Sequence, residues 1–387
     1  MKKGWEIKKL GDVCEIINGG TPKTGTQHYW NGDFLWITPA EMGKRKNPFI
    51  DSTLRKLTEA GLKNSSAKLL PPFSIILSTR APIGYIVINL KPMATNQGCR
   101  GLIPSSKLQF KYLYYFLYGN VPLLNALGTG TTFKELSSLK LKKVLIPLPP
   151  LPEQKQIVKI LDEVFEALNH AKENTEKNLQ NACELFESYL NNIFTNPGPD
   201  WEEKKLGDVC EIFAGQSPKG IYYNDRGEGL PFYQGKKDFT DKYIDEPRIW
   251  TTSITREAFK GDILMSVRAP VGPVNFSTQR ICIGRGLAAI RPKEQLDKEF
   301  LFNFLLKYEK EIIGNVGAVF NSISKRQIEN IPIPLPPLPE QKQIVVKLDS
   351  LAAETKKLEV AYKQKLLDIE ELKKSILQKA FNGELTG

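Results

Sequence analysis

The chain has 387 residues, of which 41% are hydrophobic and 25% charged, which is ordinary for a soluble protein of two or three domains. No run of 18 apolar residues occurs and no apolar segment follows the basic start MKKGWEIKK, so neither a membrane span nor a secretory signal is expected. The net charge is +11, and residues 1–146 alone hold 21 basic and 8 acidic side chains. On charge alone, a polyanionic partner and a merely solvated basic surface explain this excess equally well.

Short apolar runs bounded by Gly and Pro characterise the globular parts of the chain. SIILSTR from Ser74, GYIVINL from Gly84 and GDILMSVR from Gly261 predict β-strands, whereas residues 110–118 favour a helix. The five cysteines are scattered without a CxxC pair and are expected to be buried in a reducing cytoplasm. The two histidines have no Cys or His neighbour, so the sequence predicts no metal site and no cofactor.

The segment PLPPLPEQKQIV predicts the start of a long helix. Pro152 suits the first helical position, and Glu153 places negative charge at the positive end of the helix dipole. Apolar residues then recur in alternating steps of four and three, which indicates a coiled coil. The predicted seam is Ile157, Leu161, Val164, Leu168, Ala171, Thr175, Asn178, Ala182, Leu185 and Tyr189.

The chain is written twice. Four segments recur in the same order: WEIKKLGDVCEI at Trp5 and WEEKKLGDVCEI at Trp201, STRAPIG at Ser78 and SVRAPVG at Ser266, CRGL at Cys99 and GRGL at Gly284, and IPLPPLPEQKQIV at Ile146 and again at Ile333. The second helix repeats the spacing, with a predicted seam of Ile344, Leu348, Leu351, Thr355, Leu358, Tyr362, Lys365, Ile369, Leu372 and Ile376. The offsets between copies vary, so we interpret the chain as a duplicated unit with insertions and deletions between fixed points.

A second apolar row runs beside each seam. It contains Val158, Phe165, Leu179 and Phe186 on the first helix and Val345 and Leu366 on the second. A stripe of this width fits a helix bundle, so we expect these residues to bind helices of a partner protein. The alternative is that the globular domains cover them.

The repeat and the breaker NPGP at residues 196–199 predict four parts. They are a first globular domain (residues 1–146, head 1), a first spacer helix (147–195), a second globular domain (196–333, head 2), and a second spacer helix with a C-terminal tail (334–387). The predicted fold class is mixed α/β: two heads in tandem repeat, joined by two long antiparallel coiled-coil helices in a pseudo-twofold, near-cyclic arrangement. A helix from Pro152 to Phe194 would span about 65 Å, which would fix the distance between the heads.

The duplicated proline–Glu–Gln motif, the W…KKLGDVCEI start, the S.RAP.G segment and the AFNGEL close at Ala380 together resemble the specificity subunit of type I restriction–modification enzymes over the whole chain. The resemblance implies that each head is a target recognition domain for one half of a split double-stranded DNA sequence. It implies that the helices set the gap and bind two methyltransferase subunits, and that restriction (motor–nuclease) subunits join through that complex. It also implies a subunit without a catalytic centre.

Loops of the heads are the best candidates for DNA contact, because Lys and Arg bind phosphates whereas Arg, Asn and Gln recognise base edges. The candidates in head 1 are Lys23, Lys44, Arg45, Lys46, Arg80, Asn96, Gln97 and Arg100; those in head 2 are Lys219, Gln234, Lys236, Lys237, Arg268 and Arg285. Heads that recognise different sequences should differ at base-reading positions. The recurring Arg80/Arg268 and Arg100/Arg285 therefore favour a structural or phosphate role, and the unmatched GKRK and QGKK patches favour specificity.

Two other functions fit the sequence. One is a scaffold whose coiled coil joins protein partners, with incidental DNA contact. The other is an orphan specificity protein that binds DNA without enzyme partners.

Overall fold

The computed structural model describes residues 2, 4–130, 134–314 and 322–386, with the backbone alone at residues 310–314. It divides into two compact units, Met1–Thr175 with Gln364–Gly387 (unit 1) and Glu176–Lys363 (unit 2). Within the described residues, no helix combines the length and apolar character needed to cross a membrane.

Head 1 lies in unit 1 and consists of short strands with small helices between them. Its strands are β1 Glu6–Lys9, β2 Cys14–Asn18, β3 Trp30–Ile37, β4 Phe49–Ile50, β5 Arg55–Leu57, β6 Ile75–Thr79, β7 Ile83–Asn89, β8 Met93–Thr95, β9 Cys99–Pro104 and β10 Leu145–Leu148. Its helices are α1 Leu10–Val13, α2 Pro39–Met42, α3 Glu59–Lys63, α4 Phe110–Gly119, α5 Val121–Leu127 and α6 Ser138–Lys142, with a 3-10 helix at Gln27–Tyr29; the long helix α7 Leu151–Thr195 follows. The strands form a five-stranded sheet (β2-β9-β6-β7-β4), a three-stranded sheet (β5-β3-β8) and the antiparallel pair β1-β10.

Head 2 lies in unit 2 and repeats this plan. Its strands are β11 Glu202–Lys205, β12 Cys210–Ala214, β13 Tyr223–Asn224, β14 Leu230–Tyr233, β15 Trp250–Thr251, β16 Glu257–Ala258, β17 Ile263–Ser266, β18 Val274–Phe276, β19 Ile281–Ile283, β20 Leu287–Pro292 and β21 Pro332–Leu335. Its helices are α8 Leu206–Val209, α9 Lys298–Gly314 and α10 Lys325–Glu329, with 3-10 helices at Gly220–Tyr222 and Lys236–Asp238; the second long helix is α11 Leu338–Asn382. The sheets are β12-β20-β17-β18, β13-β15-β14-β19-β16 and the pair β11-β21. The mixed α/β fold and the predicted strands and helix are therefore confirmed.

The Gln of the proline–Glu–Gln motif ties each long helix to its head. Gln154 is fully buried; its Oε1 accepts a hydrogen bond from the Gln109 N–H at 2.9 Å, and its Nε2 donates to the Lys107 and Pro149 carbonyls at 2.9 and 2.8 Å. Gln341, also fully buried, makes the matching bonds to Asp297, Gln295 and Pro336. Each helix begins at the leucine before the proline that was expected to occupy the first helical position, at Leu151 and Leu338.

The adjoining Glu also contacts its own head. Lys2 Nζ lies 2.7 Å from Glu153 Oε1, and the Thr386 hydroxyl donates to the same oxygen. Burial raises the pKa of Glu153, but the hydrogen bonds from Lys2 and Thr386 and the charge of Lys2 act against it, and the net pKa is lowered. In unit 2 the Trp201 indole donates to Glu340 Oε1 at 3.0 Å.

The long helices pair in an antiparallel direction in unit 1 and also adjoin each other in unit 2. In unit 1, Lys172 forms an ion pair with Glu370 at 3.0 Å, and Lys373 donates to Asn169 Oδ1 at 3.0 Å. One residue number falls as the other rises, which is the mark of antiparallel helices. In unit 2, Cys183 adjoins Glu359, and desolvation together with that carboxylate raises the pKa of the thiol.

The predicted seam has the right period and contains a row that is buried, with Leu161, Leu168, Thr175 and Ala182, but its other row is exposed in part. Asn178 and Leu185 on α7, and Leu358, Lys365 and Leu372 on α11, are exposed. The rows that are buried or half-buried instead run through 158, 161, 165, 168, 172, 175, 179, 182 and 186 on α7 and through 345, 348, 352, 355, 359, 362, 366, 369 and 373 on α11. Steps of three and four persist, but the row containing Phe165 and Phe186 buries more apolar surface than the one containing Asn178 and Lys365.

The six residues expected to face a partner therefore lie on these inner rows. Val158 and Val345 belong to the hydrophobic cores of their units, and Phe165 and Phe186 pack against those cores. The Phe165 ring lies 5.3 Å from that of Tyr115 and 6.0 Å from that of Tyr118. Leu179 and Leu366 are half-buried. Val158, Phe165, Phe186 and Val345 are therefore covered by the core of their own unit, which agrees with the alternative that the globular domains cover this row.

The expected burial of the cysteines is confirmed for four of the five. Cys14, Cys99, Cys210 and Cys282 are buried, and burial raises the pKa of the Cys99 thiol to about 12. Cys183 on α7 is exposed, because it occupies a position outside the buried rows.

Candidate DNA interface

The recurrent S.RAP.G segment builds a turn that presents an arginine. In head 1 the buried Ser78 hydroxyl donates to the Pro82 carbonyl and accepts from the Tyr85 N–H, both at 2.8 Å. In head 2 the Ser266 hydroxyl donates to the Arg268 and Pro270 carbonyls at 3.1 and 3.0 Å. The serine thus fixes the backbone, and Arg80 and Arg268 are exposed at the turn.

The glycine that closes this segment is required by the backbone. Gly84 and Gly272 have φ values of +112° and +116°, in the left-handed region that disfavours other residues. These glycines therefore serve the turn.

A second loop follows β2 and holds Lys23. Gly19 donates to the Cys99 carbonyl at 3.2 Å and Gly20 to the Thr95 carbonyl at 2.8 Å. A Cβ added to Gly19 would lie 1.8 Å from the Asn96 oxygen, so only glycine permits this approach. The Thr21 hydroxyl then donates to Gln97 Oε1, and Lys23 is exposed just beyond. The Asn96 side chain is half-buried and accepts the Gly98 N–H at 3.0 Å, which stabilises its own loop.

Head 2 builds the same loop after β12. Gly215 donates to Leu287 at 2.9 Å and Gln216 to Ile283 at 3.0 Å. The Ser217 hydroxyl accepts the Arg285 N–H at 3.1 Å and donates to Gln234 Oε1 at 3.0 Å. Lys219 and Arg285 are exposed. In both heads, these hydrogen bonds bring the lysine loop against the loop that precedes β9 or β20.

The pairing of Arg100 with Arg285 as equivalent residues is wrong. Arg100 is only 8% exposed and donates to Ser138 Oγ, the Gln97 and Cys99 carbonyls and Glu135 Oε1, at 2.8–3.2 Å. Arg285 is exposed. Strand register explains the difference, because the motif serine pairs with Cys99 in head 1 and with Leu287 in head 2. The residue equivalent to Arg100 is therefore Ala288, and the short CRGL/GRGL similarity is three residues out of register.

The two unmatched basic patches follow the ends of β3 and β14. Lys44 and Lys46 are exposed, whereas Arg45 is half-buried and donates to Glu41 Oε1 at 2.6 Å and to the Ser52 carbonyl at 2.9 Å. In head 2, Gln234, Lys236 and Lys237 are exposed, the lysines in a 3-10 helix. Arg45 is thus held within its own domain, and the remaining members of both patches are accessible to a ligand.

Sequence reasoning missed the hydroxyls of Thr21 and Ser217 and an arginine cluster in head 2. The hydroxyls occupy one position of the repeat, TPK and SPK, and that recurrence was a usable signal. The cluster contains Arg256, Arg280 and Arg291; Arg280 pairs with Glu257 at 2.6 Å and Arg291 with Asp262 at 2.8 Å, whereas Arg256 is exposed. No sequence signal marked it, because its members are far apart along the chain. Across the residues with described side chains, no group of three His, Cys, Asp or Glu residues could hold a metal ion.

Comparisons with known proteins identify the family to which this chain is similar. A family model described as Type I restriction modification DNA specificity domain matches residues 2–178 and 199–368. A Methanocaldococcus jannaschii protein assigned as the MjaX type I restriction enzyme specificity subunit is 34% identical, over 98% of this chain and 93% of that protein. A structure titled for complex assembly and conformational transition of the type I R-M system matches with a TM-score of 0.80 and 31% identity, over 100% and 99% of the two chains. The HsdS subunit of Thermoanaerobacter tengcongensis matches with a TM-score of 0.71 and 29% identity, over 100% and 98%.

Proposed function

Since this chain belongs to the family of type I restriction–modification DNA specificity proteins, we propose that head 1 (residues 1–146) and head 2 (196–333) each recognise one half of a bipartite double-stranded DNA sequence. The observation that carries this proposal is the repeated surface: each head exposes a lysine in the loop after β2 or β12 and an arginine in the S.RAP.G turn. Cations at the same places in both heads suit phosphates, which are the same in every sequence.

Lys23, Lys219, Arg80 and Arg268 are the proposed phosphate ligands. Lys44, Lys46, Gln97, Gln234, Lys236, Lys237 and Arg285 are the proposed sequence-dependent contacts. Arg45, Asn96 and Arg100 support their loops in this proposal, because each is buried or half-buried and hydrogen-bonded within its own domain.

The spacer helices (147–195 and 334–387) set the gap between half-sites in this proposal and bind two methyltransferase subunits, through which restriction subunits join. The exposed apolar residues of the helices are better docking candidates than the inner rows. In unit 2, Leu185 and Leu358 are 48% and 41% exposed, and in unit 1, Leu367 and Leu372 are 64% and 46% exposed. Such residues are available to a partner without unfolding the chain.

The proposed subunit works in the cytoplasm and has no catalytic centre. The purified chain alone is then expected neither to methylate nor to cleave DNA, and activity should require the partner subunits.

Selection from random duplexes tests the function. The chain is mixed with a type I methyltransferase subunit, bound duplexes are recovered and sequenced, and the same is done with the chain alone. We expect a split motif of two fixed half-sites around a gap of fixed length. A split motif from the chain alone would instead indicate an orphan DNA-binding protein, and methyltransferase binding without any motif would indicate a protein scaffold.

A further inference from the structure

Gln97 and Arg285 occupy the same place in the two heads. On one side, the Asn96 N–H donates to the Ile37 carbonyl at 3.0 Å, and in head 2 the Gly284 N–H donates to the Tyr233 carbonyl at 2.8 Å. On the other side, the Gly98 carbonyl accepts from the Thr79 N–H at 2.7 Å, and the Gly286 carbonyl accepts from the Val267 N–H at 2.9 Å. One residue separates these anchors in each head, so the equivalence allows no shift.

The surroundings of this position recur, although the residue itself does not. A hydroxyl lies beneath it in both heads: Thr21 donates to the Gln97 side chain, and Ser217 accepts the Arg285 N–H. The lysine two residues farther along, Lys23 or Lys219, is exposed in both heads. The anchored carbonyl of Gly98 or Gly286 joins the position to the residue just before Arg80 or Arg268. The side chain at this position therefore differs between the heads, whereas the lysine and arginine of the neighbouring loops recur in both.

The side chains at this position have the chemistry of base recognition. Both are exposed. A Gln amide can donate to N7 and accept from N6 of adenine, and an Arg guanidinium can donate to both O6 and N7 of guanine in the major groove. A phosphate ligand should be the same in both heads, as Lys23 and Lys219 are, whereas a base contact should differ between half-sites of different sequence.

We propose that Gln97 and Arg285 are a matched pair of specificity residues, with Gln97 selecting adenine in the half-site of head 1 and Arg285 selecting guanine at the corresponding position of the half-site of head 2. This inference rests on the proposed function, because it assigns a role within the two DNA-binding heads. The sequence alone instead matches Arg285 with Arg100 and favours a structural or phosphate-binding role for both.

Exchange of the two residues tests the pair. The variants Gln97→Arg and Arg285→Gln are each assembled with the methyltransferase subunits and used to select duplexes from a random pool. We expect Gln97→Arg to change one base of the head 1 half-site from adenine to guanine, and Arg285→Gln to make the reverse change in the other half-site. Loss of one bidentate contact should reduce the preference for the original base by about 5- to 150-fold.

Charge-matched controls separate base recognition from simple electrostatics. Arg80→Gln and Arg268→Gln each remove a proposed phosphate ligand and should lower affinity for all duplexes without changing the selected motif. Arg285→Lys keeps the charge but loses the planar fork, and should weaken the guanine preference. Thermal melting of every variant identifies any that fails to fold, and Gln97→Ala then replaces Gln97→Arg, with relaxed selection at one base expected.

The outcomes distinguish failure of the proposed function from failure of the specificity pair. If the unmodified complex selects no split motif, the proposed function fails. If it selects a split motif that folded Gln97 and Arg285 variants leave unchanged, the function stands and the specificity pair is overturned.

Discussion

At the residue scale, two glutamines explain why the proline–Glu–Gln motif occurs twice. Gln154 and Gln341 each bond two backbone groups of a head and one proline carbonyl of the segment that joins the head to the long helix. Without the glutamine amide, these backbone N–H and C=O groups would lose their hydrogen-bond partners. The motif is therefore a joint between head and helix, and the repeat needs one joint for each head.

Substitution of either glutamine should destabilise its unit. Gln154→Ala and Gln341→Ala are each expected to lower the free energy of unfolding by about 1–3 kcal/mol, because they leave buried donors and acceptors unpaired. Gln156→Ala and Gln343→Ala are matched controls at exposed positions and should change it by less than about 0.5 kcal/mol. Urea unfolding followed by Trp fluorescence measures the difference, and equal effects from both pairs would contradict the joint.

Lys23 and Lys219 permit a second prediction at this scale. If each binds one phosphate, Lys23→Ala or Lys219→Ala should make the slope of log affinity against log salt concentration less negative by about 0.9. The loss should be similar for specific and unrelated duplexes, because phosphates carry no sequence. Titration of fluorescent duplexes at several salt concentrations measures the slope; an unchanged slope would remove these lysines from the interface.

At the element scale, the long helices show that spacing determines the period of a seam but not its phase. Two rows of α7 alternate in steps of three and four with the row of Leu161 and Leu168, and either could complete the seam. The row with Phe165, Leu179 and Phe186 is buried or half-buried throughout, whereas Asn178 and Leu185 of the other row are exposed. Burial of large apolar side chains and exposure of Asn178 favour this choice.

Two neighbouring residues of α11 discriminate between these phases. Ile369 is 6% exposed and Leu372 is 46% exposed. Ile369→Ala should lower the free energy of unfolding by about 2–5 kcal/mol, whereas Leu372→Ala should stay within about 0.5 kcal/mol. Chemical unfolding measures both. Capture of the methyltransferase by folded Leu372→Ala should fall if the exposed row docks it, and undiminished capture would place the docking surface elsewhere.

At the scale of the whole molecule, the proposed role of the helices is to fix the gap in the DNA target. Each helix contains 45 residues, which corresponds to about 67 Å at 1.5 Å per residue. A continuous helix of this kind sets a distance by its length, as a flexible tether cannot.

Deletion of one heptad from both helices tests this role. The deletion preserves the seam phase and removes about 10 Å, so the selected gap should shorten by about three base pairs. Both half-sites should keep their sequences, because the heads are unchanged. Random-duplex selection with the methyltransferase present measures gap and half-sites together; altered half-sites or an unaltered gap would contradict the ruler.

The candidate interface was predictable in part from the sequence. Recurrence identified the S.RAP.G arginines, and basic clusters identified Lys44, Lys46, Lys236 and Lys237, all of which are exposed. Recurrence of the three letters RGL misled at Arg100 and Arg285, because short matches can arise out of register. The register of the hydrogen-bonded strands aligns the two heads residue by residue. That alignment makes Gln97 the counterpart of Arg285.

The sequence by itself determined the duplication, the mixed α/β class, the two long helices and the family, because each leaves a signal that is local or repeats along the chain. Only the tertiary structure decided which helix rows lie inside, that Arg100 is a buried support while Arg285 is exposed, and how the buried glutamines join helix to head. Those features depend on competition for burial and on hydrogen bonds between residues far apart in the chain, and neither can be deduced from the sequence alone.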